Sequence, residues 1–502
     1  KSMKKSDDYK NYLQRAQNYK NIFDPASKFM RGRFRNTWYT PFDPYEVNFN
    51  YTEANAWQYS FYVPQDISGF IRLMGGKLAL ESQLDELFTA NSEASGINMK
   101  DITGLIGQYA HGNEPSHHIA YLYNFINKPH KTQKRVNEIL TKMYTNAPDG
   151  ISGNEDCGQM SAWYILSSLG FYPVSPGNNQ YIIGSPLFEK AAIHLENGQQ
   201  FNIIAEQLSP KNIYIQSAQL NGKPYPYSYL KHADIMKGGL LRLQMGPNPS
   251  EWGTEDQHIP VTDIDQHLIT PAPFIEKGEI AFKTSTKISL NCIDEQASIF
   301  YRIDDADYLK YEGPIELSEP TNLSIYAEKA GQKSAEVTTR LFKIDPNISL
   351  KLATEYSNQY NAGGDDALID GILGALDYRT GTWQGYWDND VNATMDLGKR
   401  RSVSNVEVNF LLDQRSWIFY PTEVECLASK DGRNFKSIQK YKIDAAVPDE
   451  DVQIKKYAFD LASKEYQYIK IIAKKLGDIP EWHLGHQYDG KTWIFIDEIV
   501  VK

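Results

Sequence analysis

Between Pro148 and Val174 the chain reads PDGISGNEDCGQMSAWYILSSLGFYPV, gathering acid groups at a backbone turn that opens directly onto an apolar helix. Asp149-Gly150 and Gly153-Asn154 are turn dipeptides. Glu155 and Asp156 then precede a run in which Met160, Trp163, Tyr164 and Leu169 lie on or near one helical face, with Gly170 as the stop. A carboxylate at or just before a helix N-terminus is favoured in its ionised form by unpaired N–H groups and the macrodipole, by roughly 0.3–1 kcal/mol. That places Asp156 as a candidate general base, the plainer reading being an N-cap.

Two further blocks carry polar chemistry. In YTEANAWQYSFYVPQD, Tyr51 to Asp66, Glu53 stands among Tyr51, Trp57 and Tyr59, a setting that would desolvate a carboxyl and raise its pKa toward the role of a general acid. The alternative is a capping glutamate after Thr52. In HGNEPSHH, His111 to His118, Pro115 suits a first helical position, with Asn113 capping and His117 and His118 partly buried. Adjacent histidines point to different faces of a helix and no HExxH is present, so the block is not a zinc pattern. Hard oxygen donors such as Asn113, Glu114 and backbone carbonyls suit calcium instead.

GNEDCGQMSAWYILSSLGFYPV, HGNEPSHH and YTEANAWQYSFYVPQD, three blocks in the right order, together resemble the catalytic half of glycoside hydrolase family 92. That family consists of exo-acting, calcium-dependent, inverting α-mannosidases. The resemblance covers roughly residues 1–265 and implies removal of terminal mannose from glycans, with α-1,2 linkages expected. Inversion requires a protonated carboxylic acid at the leaving oxygen and a carboxylate activating water on the opposite face, about 6.5–9.5 Å apart. Glu53 matches the family's acid and Asp156 its base, with Glu155 the alternative base. The family commonly has two acidic residues flanking a Glu where this chain reads Asn154-Glu155-Asp156; Asn154 orients but cannot ionise, so Asp156 carries the base role alone. The resemblance further implies Ca2+ holding the mannose O2 and O3, with Asn113 and Glu114 toward the ion, and Glu114, His111, Asn154 and Glu155 toward the sugar.

The elements that must position these groups begin as helices. Tyr9, Tyr12, Leu13, Ala16, Tyr19 and Ile22 recur at helical spacing; a Pro-, Gly-, Arg- and aromatic-rich loop fills Phe23 to Asn50; Gly75-Gly76 separates two helices. A helix is expected from Pro115 through Phe125, then others around Val136 to Met143 and after Cys157. The family's (α/α)6 toroid needs about twelve helices, so this chain supplies a partial toroid, its second half. An upstream catalytic half and an N-terminal β-sandwich are implied as partners. An incomplete ring would leave apolar helix faces exposed.

From about Asn179 to Gly246 the pattern alternates, predicting an antiparallel β layer, followed by a Pro-rich linker from about Pro247 to Pro273. The overall class is multidomain α + β: residues 1–265 as catalytic half with its β layer, then two all-β sandwich modules. The first, 266–345, resembles the immunoglobulin-like module at the C-terminus of chitobiases through IFYRIDD, YEGPIEL and NLSIYAEKAGQKS. The second, 346–502, resembles a discoidin or coagulation-factor C-type jelly roll through its DLG turn, its SKDG hairpin and the closing KTWIFIDEIVVK. Such modules often bind carbohydrate, and Trp383, Trp387, Trp417, Tyr420 and Trp482 are platform candidates, with core packing the competing role.

Composition agrees with a sugar-active protein. Lys plus Arg is 52 against Asp plus Glu 63, a net charge of −11, which argues against nucleic acid or an anionic membrane as partner. No run of about 18 apolar residues is present, so no transmembrane segment is expected. Cys157, Cys292 and Cys426 are scattered, giving neither a disulfide framework nor a metal spacing. The family resemblance implies a bacterial protein that is periplasmic, cell-surface or secreted. Two alternatives remain beside the mannosidase: a non-catalytic fragment whose C-terminal modules bind glycans, and a toroid glycosidase acting on another sugar.

Overall fold

Helical runs broken by glycine build the first part of the molecule. In the computed structural model, which describes residues 3–96, 102–488 and 490–502, the chain divides into two compact units. Unit 1 comprises residues 1–32 and 42–271, and unit 2 comprises 33–41 and 272–502. Unit 1 opens with α1 (Ser6–Arg15), then α2 (Ala56–Tyr59), α3 (Ile67–Met74) and α4 (Lys77–Leu87). The Asp66 carboxylate accepts from the Gly69 N–H to start α3, and Gly75 ends it at φ 101°, a left-handed stop that glycine meets without strain. Phe70, Ile71 and Met74 of α3 and Leu80, Leu84 and Leu87 of α4 point into one core, so the two expected helices form and share it. α5 (Pro129–Lys142) and α6 (Gln159–Leu169) follow, Gly170 closing α6 at φ 98°.

The segment expected as a helix from Pro115 is not α-helical. It forms 3-10 turns at Glu114–Ser116 and Ile119–Ile126, and every side chain of Ile119–Ile126 is buried. With no solvent face, its apolar spacing does not distinguish a 3.6-residue period from a tighter one. Tyr121 and Tyr123 lie in this strip, the first donating to Ser167 Oγ at 2.8 Å and the second to Asp85 at 2.9 Å.

The β layer departs from the purely antiparallel expectation. Its five strands run in the order Lys190–His194, Gln200–Glu206, Gly239–Gly246, Tyr214–Leu220, Lys223–Pro224. Gln200–Glu206 and Gly239–Gly246 pair in parallel, because the chain leaves the sheet after Pro224, passes through α7 (His232–Met236), and re-enters between two earlier strands. Alternation predicts strands but not their order. The Pro-rich 247–271 stretch is no free linker: Thr262 accepts from the Ile67 N–H and its carbonyl from the Ser68 N–H, the Ile264 N–H donates to Asp66, and Arg72 grips Asp263 through both its terminal nitrogens. It straps the start of α3.

Unit 2 holds two β cores. In the first, Phe274–Lys277, Thr286–Asn291 and Ile315–Leu317 face a second sheet containing Ser298–Ile303, Thr321–Lys329 and Val337–Lys343, around Phe282, Ile288, Leu323, Ile325 and Leu341. A hairpin from far upstream, Arg33–Phe34 with Thr37–Trp38, joins this sandwich, Thr37 pairing in parallel with Ile275. The second core is a jelly roll of Ser349–Leu352, Gln384–Trp387, Val391–Leu412, Glu423–Ser429, Lys436–Lys442, Gln453–Lys474 and Trp493–Val501, packed around Val406, Phe410, Val424, Cys426, Ile469, Ile471 and Ile496. Trp383 is 1% exposed and donates to the Ala375 carbonyl at 2.7 Å, which removes it from the sugar-platform candidates. Trp387 and Trp482 are exposed, and Trp387 stacks on Trp417 with centroids 6.1 Å apart. All three cysteines are free.

Candidate active site

Glycine brings two of the three polar blocks into direct backbone contact. A Cβ on Gly153, which sits at φ +77°, would lie 2.7 Å from the Gly112 carbonyl oxygen and 2.8 Å from its Cα. Only a residue without a side chain permits that approach. The Gly153 end of the turn is thereby laid against Gly112, whose N–H donates to the Thr103 carbonyl. The third block arrives through Tyr59. Burial and the Glu53 carboxylate raise its phenol above the ordinary tyrosine range, and Thr52, Asn113 and the Glu53 backbone N–H face it. Asn113 Nδ2 is close to that phenol yet makes no aligned hydrogen bond among the described residues. Glu53 itself is half-buried in the bend before α2, whose cap is Asn55 rather than Thr52 or Glu53.

At the turn that carries Glu155 and Asp156 the surroundings of the two acids differ. Glu155 reaches over the next turn, its carboxylate accepting from the Ser161 N–H at 3.1 Å and the Ser161 hydroxyl at 3.0 Å. Glu155 rather than Asp156 therefore serves the start of α6, whose formal cap, Gly158, has no side chain. The alternative reading of Asp156 as the N-cap of α6 is thereby set aside, since the cap is Gly158. Asp156 is exposed, has no side-chain hydrogen bond among the described residues, and stands at φ +41°, followed by Cys157 at +60° and Gly158 at +91°. Left-handed backbone at a non-glycine residue costs roughly 1–2 kcal/mol. Strain of that kind is retained where it aims a group outward.

His111 lies beneath this turn and is fully buried. Its Nδ1 meets the Tyr109 hydroxyl at 2.9 Å and its Nε2 the Tyr144 hydroxyl at 2.7 Å, so both nitrogens are engaged by protein, and its ring packs on Trp163 at 4.4 Å. Burial, then the neighbouring His117, holds its pKa far below the usual value, so it is neutral. Its part is to support the floor; no nitrogen remains to meet a sugar. His117 and His118 are likewise buried, bonded to the carbonyls of His111 and Phe61, and pushed down to about 4 by desolvation. Tyr144, which sequence reading passed over, links His111 to the Glu155 turn: burial and the Glu155 charge raise its phenol. Ser161 was also missed, since a serine six residues beyond a glutamate carries no pattern.

The metal-facing candidates divide. Glu114 is exposed while Asn113 is buried and makes no side-chain cap, contrary to its expected capping role. Asn154 is exposed on the turn. Among the described residues no cluster of three or more His, Cys, Asp or Glu is placed to hold a metal. The donors present are instead neutral or single: Asn113, Glu114 and the Thr103 hydroxyl beside Gly112 and Gly153, which has no partner among the described residues. Such oxygens fit a hard cation that completes its six to eight ligands with water and substrate hydroxyls. A cavity of about 530 Å³ lies next to the start of α6, lined by Tyr144, Ser161, Tyr164 and Ile165 among others, and none of the candidate acids lines it.

Residues 1–247 match the family model described as glycosyl hydrolase family 92 catalytic domain, and residues 353–497 match the F5/8 type C domain. An uncharacterized secreted glycosidase of Arthroderma benhamiae is 31% identical over 211 residues, covering 41% of this chain and 25% of that protein. A family GH92 alpha-mannosidase of Bacteroides thetaiotaomicron is 44% identical, covering 52% of this chain and 34% of that one at a TM-score of 0.47. A GH92 inverting mannosidase of the same species, strain VPI-5482, is 36% identical over 52% of this chain and 37% of that one, at 0.46. The chain thus spans a quarter of the curated relative's length and about a third of these structures'.

Proposed function

Starting from a glycosyl hydrolase family 92 catalytic domain at residues 1–247 and an F5/8 type C domain at 353–497, we propose that this chain is the acid- and base-bearing part of an exo-acting α-mannosidase that removes terminal mannose from glycans with inversion. The observation that carries the reading is the convergence just described. Glu53 acts on Tyr59, which Asn113 also faces, and Asp156 lies three residues beyond Gly153, which packs on Gly112. Glu53, half-buried next to a phenol, protonates the leaving oxygen; Asp156, exposed and unencumbered, takes the proton of the attacking water. Glu155 is held by Ser161 and positions the turn. α-1,2 linkages are the first to test.

The helices of unit 1 form one side of an (α/α)6 toroid that an upstream catalytic segment and β-sandwich complete. The exposed Ile165 of α6, at 57%, and Tyr12 of α1, at 62%, support a face awaiting cover. Asn113 and Glu114 would hold Ca2+, which supplies electrostatic grip on vicinal sugar hydroxyls when bound. The relative described as a secreted glycosidase supports action outside the cytoplasm. The test is hydrolysis of α-linked mannobioses and aryl α-mannosides by this chain joined to its upstream segment, with calcium and with excess chelator. Turnover that chelation abolishes and calcium restores supports the reading. Turnover of another glycoside in preference to mannosides, or none at all from the completed protein, rejects it.

A further inference from the structure

Tyr109, His111 and Tyr144 stand in line beneath the Glu155 turn, and counting their protons fixes the direction of every bond between them. Tyr109 and His111 have no exposed surface. Among the described residues the Tyr109 hydroxyl meets only His111 Nδ1, at 2.9 Å, so its proton has no other acceptor. Nδ1 therefore accepts, and the imidazole, which burial keeps neutral, carries its one proton on Nε2. That N–H meets the Tyr144 oxygen at 2.7 Å, which leaves the Tyr144 proton for the Met160 carbonyl at 3.2 Å. The opposite assignment strands the Tyr109 proton in a dry interior, a cost this one avoids.

The line does not stop at Met160. Its carbonyl shares a peptide unit with the Ser161 N–H, which donates to Glu155 Oε1 at 3.1 Å. Ser161 lies in the first turn of α6, where an N–H has no partner within the helix and can serve a carboxylate instead. A donor on the carbonyl side of a peptide strengthens the donor on its nitrogen side. Tyr144 is itself held at both ends. Its backbone bridges Ile151 across the turn closed by the Thr145 N–H on the Gly150 carbonyl. Its ring stacks on Trp163 at an interplanar angle of 3° and packs on Tyr164 with centroids 4.8 Å apart.

We propose that Tyr144 is a positioning residue: with His111 locked as its Nε2–H tautomer, it orients the Met160–Ser161 peptide that holds Glu155, and so fixes the turn on which Asp156 stands. The effect on turnover rests on the reading of Asp156 as the base; the tautomer does not. Two-bond 1H–15N spectra of the full chain carrying 15N-histidine test the tautomer, with His111 identified by the signals lost in His111→Gln. Nε2 should be protonated and Nδ1 unprotonated throughout about pH 5 to 8, and the Nε2-bound proton should move upfield in Tyr144→Phe. An Nδ1–H tautomer, or a ring that titrates in that range, overturns the proposal whether or not the chain is a mannosidase and whether or not the variant folds. In the completed enzyme, Tyr144→Phe should lower kcat about ten-fold and leave KM within about two-fold, because it disturbs the turn and no sugar contact. The same substitution made in Glu155→Ala, where the line is already cut, should cost kcat less than about two-fold. Tyr164→Phe removes a neighbouring hydroxyl that makes no hydrogen bond among the described residues, and should match the parent. Unchanged kcat in Tyr144→Phe, a rise in KM alone, or equal losses with and without Glu155 would each overturn the proposal. If the completed enzyme hydrolyses another glycoside and no mannoside, the mannosidase reading falls, and the same kinetic comparison is made on that glycoside.

Discussion

Asp156 and Glu155 are neighbours with opposite expected responses to mutation. Asp156 is exposed, makes no side-chain hydrogen bond among the described residues and sits at φ +41°. Asp156→Asn keeps shape and tolerates the same backbone, so stability should change by less than about 0.5 kcal/mol. Asp156→Gly relieves the left-handed strain and should stabilise by about 1 kcal/mol, or about 2–4 °C in melting temperature for a domain of this size. Glu155→Gln replaces a carboxylate that accepts from both the Ser161 N–H and hydroxyl, and should cost about 1 kcal/mol, a melting shift of similar size downward. Activity should order the other way. Both Asp156 variants should lose about 10²–10⁴-fold in turnover, the contribution of a positioned base, while Glu155→Gln should lose far less. The assay pairs calorimetric melting with hydrolysis of a mannobiose by the completed enzyme. An Asp156→Gly protein that melts lower than the parent, or an Asp156→Asn protein of near-normal turnover beside a dead Glu155→Gln, would refute the division of roles.

Other expectations follow from the same residues. Glu53→Gln should lose several orders of magnitude on a mannobiose and much less on a nitro-activated aryl mannoside, because only the poor leaving group needs the proton; equal losses on both would remove Glu53 from the acid role. His117 and His118 are held neutral with pKa values near 4, below the unfolded value of about 6.5, so the stability they contribute is present above pH 6.5 and lost as pH falls toward 4, by up to about 3 kcal/mol each. Melting of the His118→Asn variant against pH should lose part of that slope, and an unchanged slope would contradict it. In unit 2, Glu498 is pushed up to about 9 by burial and then by Asp370, itself raised to about 7 by burial against the pull of Arg35. Those carboxyls favour folding fully below their unfolded values near 4, and that advantage is lost as pH rises toward 9. Melting of Glu498→Gln in metal-free buffer should be flatter over this window than that of the parent; an identical profile would show that the cluster does not titrate with unfolding.

The three polar blocks were legible because each concentrates rare residue types at fixed spacing. So were Gly75 and Gly170 as helix stops, because a left-handed backbone leaves little choice of residue. What sequence did not carry is long-range. Nothing in Arg33–Trp38 announces that it adds strands to a sandwich beginning some 240 residues later, since strand pairing is a property of two distant segments. The 3-10 strip Ile119–Ile126 was misread because apolarity on every side erases the period. His111 looked like a sugar contact from its neighbours alone; its partners Tyr109 and Tyr144 come from a strand and from a turn beyond α5, and they make it a support. Asp156 looked like a cap because helix starts usually carry one, yet Gly158 moves the start two residues on and hands the capping to Glu155. The clash between local rule and observed backbone falls at the residue assigned to the chemistry, as is common at functional sites.

The central claim is that Glu53 and Asp156 act as a separated inverting pair on an α-mannoside. Proton NMR of the first turnovers of the completed enzyme on an α-mannobiose reads it directly, because the anomeric signal of released mannose reports the face from which water attacked, before mutarotation blurs it. The account predicts that β-mannose appears first and that Asp156→Asn abolishes the signal. Early release of α-mannose would contradict it, since retention requires a nucleophile about 5 Å from the acid instead of a base that activates water.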